Sequence, residues 1–353
     1  MQTPGVTLPA RYIQYIAEPI RRMGGDVGGW LVESGLSEKQ LEDPTLSIAY
    51  PSFERLVLGA QERTGEAALG LFVGERLLVN THGILGYAAM SSGTIRQAIE
   101  LFARYTRLRF SLITIQHEER AGEARILFSE EHPLGEVRRP VLEAVMLSIK
   151  NVMDAISLGA CRVRAASFPF EAPGYAAIAR DLFGCELRYD QTWAGLTLPL
   201  EVLDVPLKMA DPEGFREAAQ ICQRELEKLI SNESMAARVR RLLLSKQGAF
   251  PTLQVTAHLF HMTPRTLHRR LVDEGTSFRD LLEEVRHTLA VEHMKSGKFS
   301  LEEIAYTLGY SDMANFRRAF KRWEAVPPSA FRARGAGRAR KTAMPSKRRG
   351  KLA

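Results

Sequence analysis

Apolar residues recur at three- and four-residue spacing in LPARYIQYIAEPIRRMG (8–24), PSFERLVLGAQERTG (51–65) and TIRQAIELFARYTRL (94–108). That period belongs to helices with one buried face. Pro51 suits the first turn of the second segment, and Thr94 is placed to cap the third. Beyond residue 110 the pattern changes. SLITIQHE (111–118) and GEARILFSE (122–130) flank a short polar turn and have strand content. GEVRRPVLEAVMLSIKNVMDAIS (135–157) returns to the helical period. RVRAASFPF (162–170), CELRYD (185–190) and AGLTLPL (194–200) read as further strands, with a helix in PGYAAIARDLFG (173–184) between the first two. The pattern predicts an α+β domain over residues 1–210. A charged amphipathic helix follows in the linker 211–233, with SNES (231–234) at its end.

From residue 234 the pattern is helical as far as 332. MAARVRRLLLSKQG (235–248) leads into two helix-turn-helix patterns, 252–271 and 300–323, joined by SFRDLLEEVRHTLAVEHMKSG (277–297). The stretch 333–353 holds Lys, Arg, Gly and Ala with almost no large apolar side chain. Such a composition predicts a disordered basic tail.

In TLQVTAHLFHMTPRTLHRRL (252–271), Leu253, Ala257 and Phe260 share one face of a first helix. Thr263 stands where an N-cap is needed and Pro264 at the first helical position after it. Leu267 and Leu271, four apart, turn the second helix inward, which leaves Arg265, His268 and Arg269 on its outer face. A helix exposed in this way can enter a major groove, where Arg donates two hydrogen bonds to guanine and His one. The plan repeats in SLEEIAYTLGYSDMANFRRAFKRW (300–323). Ile304 and Leu308 form its stripe, Gly309 and Tyr310 its turn, and Phe316 and Phe320 its inward pair. With an offset of 49 residues, Ala314, Arg317 and Arg318 take the places of Arg265, His268 and Arg269. One such unit could be an amphipathic hairpin with a solvated basic face. Two on the same plan are the arrangement that reads successive major grooves, about 34 Å apart.

Charge sharpens this picture. The whole chain of 353 residues carries a formal net charge of +7, but residues 234–353 hold 24 Lys and Arg against 10 Asp and Glu. The preceding 233 residues hold 24 against 31 and are net acidic. A basic C-terminal third is the footprint of phosphate contact.

The segment GYSDMANFRRAFKRWEAVPPSAFR (309–332) resembles the C-terminal signature of AraC/XylS-type regulators, and 234–332 is similar to their DNA-binding domain throughout. The resemblance implies groove-facing roles for Arg265, Thr266, His268 and Arg269 in the first unit, and for Met313, Asn315, Arg317 and Arg318 in the second. Two positions depart from the family. Ala325 stands where a Gly is common after the last helix, which would strain a left-handed cap by about 1 kcal/mol. Ala314 replaces a small polar residue, leaving fewer donors for base reading. HGILGYAAMSSGTIRQAIELFARY (82–105), FPFEAPGYAAIARDLFG (168–184) and WAGLTLPLEVLDVPLKMADP (193–212) resemble the arabinose-binding-like effector domain of the ornithine-regulator-like branch of that family. This implies a sensory domain without naming its ligand contacts.

Other chemistry finds little support. Cys161, Cys185 and Cys222 have no CxxC spacing and read as thiols in a reducing cytosol. The histidines form no HExxH pair, and His82, before a Gly-rich segment without phosphate-loop spacing, reads as a structural residue. No run reaches the ~20 apolar residues of a membrane span. The expectation is a cytoplasmic, non-enzymatic transcription regulator without cofactor or metal, an activator answering to a small-molecule effector. Its expected partners are double-stranded promoter DNA, RNA polymerase and a second copy in a homodimer. Two alternatives stay open: a first domain that only mediates dimerisation or protein contact, and an enzyme tethered to DNA.

Overall fold

The computed structural model describes residues 7–332, apart from Met23, Glu42, Pro44, Thr45, Ala121, Gln247, Gly248, Gly297 and Lys298. The predicted tail 333–353 lies outside the described residues. The chain divides into two compact units, Met1–Glu233 and Ser234–Ala353.

The first unit begins with a two-stranded antiparallel sheet, β1 (Thr7–Pro9) against β2 (Ser47–Ala49), which the hydrophobic pattern does not announce. Between the two lie α1 (Ile13–Arg22), α2 (Val27–Glu33) and α3 (Glu38–Leu41). After them come α4 (Tyr50–Thr64), α5 (Leu69–Arg76), α6 (Ile84–Met90) and α7 (Ile95–Tyr105). Pro51 is in the first turn of α4, and the Thr94 side chain accepts from the Gln97 amide at the start of α7, as expected.

A five-stranded sheet follows, built from β3 (Ile113–Arg120), β4 (Glu123–Glu130), β5 (Ala165–Ser167), β6 (Glu186–Arg188) and β7 (Ala194–Pro199) in the order β3-β4-β7-β5-β6. Neighbours are antiparallel except β5 and β6. These run parallel and are joined through a helix, as a parallel pair requires. Ile113 and Ile115 on β3, with Ala124, Ile126 and Phe128 on β4, put one face of the sheet into the core.

Against that core lies α8 (Arg138–Ser157), a twenty-residue helix that buries nearly every side but a narrow strip. It crosses α5 at close range because Gly70 and Gly74 are bare there. A Cβ at Gly70 would come within 2.3 Å of the Pro140 carbonyl, and one at Gly74 within 2.8 Å of the Ala144 carbonyl. The helix linking β5 to β6 is α9 (Ala176–Phe183).

The last helix of this unit is α10 (Pro212–Asn232). Asp211 caps it by accepting from the Glu213 and Gly214 amides. Read from sequence as a linker, it seals Ala218 and Cys222 against the first unit's core.

The second unit is all helical: α11 (Met235–Ser245), α12 (Leu253–Leu259), α13 (Pro264–Asp273), α14 (Phe278–Ser296), α15 (Leu301–Thr307) and α16 (Met313–Glu324). The order α+β then all-α is the one the hydrophobic pattern predicts. Its core gathers Val239 and Leu243 from α11, Leu267 and Leu271 from α13, Leu281, Val285 and Leu289 from α14, and Phe316 and Phe320 from α16. The Glu274 carboxylate accepts from the free Met235 and Ala236 amides at 2.6 and 2.7 Å, an anion at a helix N-terminus. Arg240, buried on α11, meets Glu284 of α14 in a two-pronged pair at 2.8 and 2.9 Å. These contacts hold α14 as the brace between two helix pairs, α12–α13 and α15–α16.

Candidate nucleic-acid interface

Each helix pair is closed by the same local chemistry. Thr252 caps α12 and Ser300 caps α15, the latter in a full capping box with Glu303. That reciprocal bond holds the Glu303 carboxyl below its ordinary range, because the Ser300 amide and hydroxyl favour the charged form. Small Ala257 and Ala305 are buried at the crossing points. The turns then leave the first helices through left-handed residues, His261 (φ 54°) and Gly309 (φ 73°). Met262 and Tyr310 donate back to the carbonyls of Ala257 and Ala305. Thr263 caps α13, with Pro264 in its first turn, and Asp312 caps α16. The first helices of the two pairs are thus 48 residues apart and the second helices 49. The second turn carries one extra residue, Ser311.

On α13, Leu267 and Leu271 are fully buried, so the opposite face must look outward. Arg265, His268 and Arg269 are exposed there and make no hydrogen bond or ion pair among the described residues. Arg270, which the sequence reading did not single out, is exposed beside them. Thr266 is half-buried; its hydroxyl lies 2.9 Å from that of Thr263 and its amide donates to the same oxygen, so it serves the cap.

On α16, Phe316, Ala319 and Phe320 point inward. Arg317 and Arg318 are exposed, and Ala314 is exposed between them and the cap. Met313 packs against the core and is half-buried, because it sits on the inward side of the first turn. Asn315 bridges Asp312 and Arg318: its side-chain amide donates to Asp312, and its carbonyl oxygen accepts from Arg318 at 2.7 Å. Asp312 also accepts from the Asn315 backbone amide, which holds its carboxyl below the usual range. Among the described residues the second helix therefore offers one unpartnered guanidinium, Arg317, and one held along its own surface, Arg318. The first offers Arg265 and Arg269, both unpartnered among the described residues.

Arg286 of α14 supports the second turn in a way no sequence spacing announces. Its guanidinium lies 4.8 Å from the Tyr310 ring and 5.5 Å from the Phe250 ring, and donates to the Gly309 carbonyl at 3.3 Å.

A second feature lies within the first unit: a cavity of about 100 Å³ between α1, α4, α5, α7 and α8. Its lining is apolar except for Tyr12, His82, Thr106 and Arg109. The Ser148 hydroxyl donates to the Leu77 carbonyl at 3.1 Å, so at 3.0 Å from His82 Nε2 it accepts a proton. His82 Nδ1 is then the acceptor for the Tyr12 hydroxyl at 3.3 Å. Burial, with the Arg109 charge beside it, pushes the His82 pKa down to about 4, and the ring is neutral near pH 7. Histidine as a structural residue is how the sequence reads; the structure adds that it lines a cavity with residues brought from 70 positions away.

Two helix-turn-helix pairs that turn exposed basic helices outward from one rigid brace define a DNA-binding transcription regulator. Comparison with known proteins agrees. Residues 24–207 match the arabinose-binding N-terminal domain of AraC transcription regulators, and residues 256–334 match a helix-turn-helix domain. The chain belongs to the AraC family. It is 31% identical to the ornithine utilization regulator of Pseudomonas aeruginosa over 92% of this chain and 96% of that one. It is 30% identical to the transcriptional regulator VirS of Mycobacterium tuberculosis over 72% of this chain and 76% of that one. Among solved structures, the transcriptional regulator CdpR from Pseudomonas aeruginosa aligns at a TM-score of 0.43 and 23% identity, over 90% of this chain and 98% of that one. The ornithine utilization regulator and VirS are regulators by name, and the chain is a regulator rather than an enzyme. Among the described residues no helix is long and apolar enough to cross a membrane.

Proposed function

We propose that the protein activates transcription by placing α13 and α16 in successive major grooves of a promoter, with a small-molecule effector bound in the first unit. The observation that supports this reading best is the pair of outward basic faces. Arg265, His268 and Arg269 read bases through the first, while Arg317 and Arg318 lie along the second. Thr266 and Asn315 set the helix starts and approach phosphate, and Met313 fixes how α16 seats on the core. The exposed arginines favour two-pronged contacts to guanine, each contributing about 1–3 kcal/mol of discrimination. The first unit then sets the population of the DNA-competent arrangement when effector binds, and contact with RNA polymerase and pairing with a second copy complete the active state. One relative is named for ornithine utilization, which makes amino acids one class of effector to test.

Hydroxyl-radical footprinting of the full chain tests the reading. Two protected windows about one helical turn apart on one face of the duplex are expected. A single window, or uniform protection, contradicts the tandem mode. Adding a metabolite extract to the same assay tests the sensor: a changed half-saturation point is expected, and an unchanged one contradicts effector control.

A further inference from the structure

Arg286 stands near the middle of α14, half-buried, and its Nε is enclosed without a hydrogen-bond partner among the described residues. Two rings and one carbonyl hold its guanidinium: Tyr310 at 4.8 Å, Phe250 at 5.5 Å, and the Gly309 oxygen, which accepts from Nη2 at 3.3 Å. A planar cation suits this place, since it can lie against rings and still donate at its edge.

These three partners do not belong to one helix pair. Phe250 stands two residues before Thr252, the cap of α12, and so belongs to the entry of the first pair. Gly309 and Tyr310 form the turn of the second pair. From there the contact continues inward, the Tyr310 ring lying 5.6 Å from that of Phe316 on α16. The two ends also approach each other directly. A Cβ at Gly309, where φ is 73°, would stand 3.1 Å from Arg286 Nη2 and 3.8 Å from Phe250 Cδ2. The entry of the first pair and the turn of the second thus meet on one guanidinium.

We infer that Arg286 is a positioning residue that sets the spacing at which the protein reads its two DNA elements. The inference rests on the tandem reading proposed above. One base pair added between two elements moves one of them about 3.4 Å along the duplex axis and about 34° around it. A protein can follow that shift only if its two reading helices move relative to each other. Tolerance for spacing therefore measures how firmly the helix pairs are coupled. Arg286 belongs to neither reading helix and acts through Phe250 and Tyr310.

The test is selection from a random-sequence duplex library by the full-length protein at fixed salt. Competition binding follows, on duplexes that keep both enriched elements and change only the spacer, by one or two base pairs. The natural chain is expected to lose affinity about tenfold or more when one base pair is added or removed, because one element leaves its register. Arg286→Ala is expected to lose about threefold or less on the same shift, with the base preferences of each element unchanged. Partial unfolding or weaker attraction to phosphate lowers affinity for every duplex alike, so neither moves this ratio. Phe250→Leu keeps apolar bulk without a ring and is expected to loosen spacing in the same way; it covers the case in which Arg286→Ala does not fold. Phe250→Tyr keeps the ring and is expected to retain the natural profile.

Sharp spacing that either Arg286→Ala or Phe250→Leu leaves unchanged would overturn the inference and leave the tandem reading standing. Loss of base preference in the α16 element alone, at unchanged spacing, would confine Arg286 to its own turn and overturn the coupling. A natural chain that enriches a single element, or accepts every spacer equally, overturns the tandem reading and this inference with it.

Discussion

Ala325 ends α16 in a left-handed conformation at φ 59°, a conformation that costs a residue with a Cβ about 1–2 kcal/mol relative to glycine's ease there. His261 carries the same burden at φ 54° in the first turn. Part of the gain from glycine is offset by its greater freedom in the unfolded chain. Ala325→Gly should still raise stability by about 0.5–1 kcal/mol, read as a higher urea midpoint with unchanged slope. An unchanged midpoint would mean the cap is relaxed in some other way.

Glu143 poses a different question of charge. It is 1% exposed on α8, and burial pushes its pKa up to about 8, against the Tyr175 hydroxyl that donates to it at 3.0 Å. A carboxyl whose folded value is raised binds its proton more tightly when folded. Its stabilising effect is complete below the ordinary carboxylate range and is lost as pH climbs through about 8. Glu143→Gln, which keeps an acceptor for Tyr175, should flatten the fall in melting temperature between pH 5 and pH 8 relative to the natural chain. A parallel fall in both proteins would mean that Glu143 is charged in the folded state.

At the scale of elements, the two helix-turn-helix pairs show which features local sequence can carry. Thr263–Pro264, Leu267 and Leu271 specify a cap, a first turn and a buried stripe within nine residues. All are decided by neighbours three or four positions away. The second pair is equally legible through Phe316 and Phe320. The extra residue at Ser311 escapes a fixed offset of 49, because the offset changes inside the turn. Met313 packs partly against the core and Asn315 is tied to Asp312 and Arg318, contacts that spacing alone does not record.

In the first unit the strands of the five-stranded sheet could be read from their strand-forming content, but neither β1–β2 nor the cavity could. Tyr12, His82 and Arg109 meet through the packing of α1, α7 and α8, and nothing in their sequence spacing records that meeting. The caps themselves give a test. Asp312→Ala should cost about 1 kcal/mol of stability by freeing amides at the start of α16. Asp312→Asn should keep the cap and, by removing a negative charge beside the DNA face, tighten DNA binding. If both variants lose stability equally, the negative charge, rather than the capping oxygen, holds the helix start.

For the whole molecule, charge and fold divide the labour. The first 233 residues are net acidic and enclose an apolar cavity. The segment from Ser234 onward carries the excess of positive charge and both outward basic helices. Nonspecific attraction to phosphate follows from charge alone, so salt-sensitive binding by itself would say little about α13 and α16. Sequence preference is the property that only positioned side chains confer. The most direct measurement is therefore selection of genomic DNA fragments by the full-length protein at fixed salt, beside a variant carrying Arg265→Ala and Arg269→Ala. The account predicts a sharp motif of two elements about one helical turn apart, with the element read by α13 degraded in the variant. An identical motif in both proteins, or diffuse binding that the substitutions leave unchanged, would contradict it.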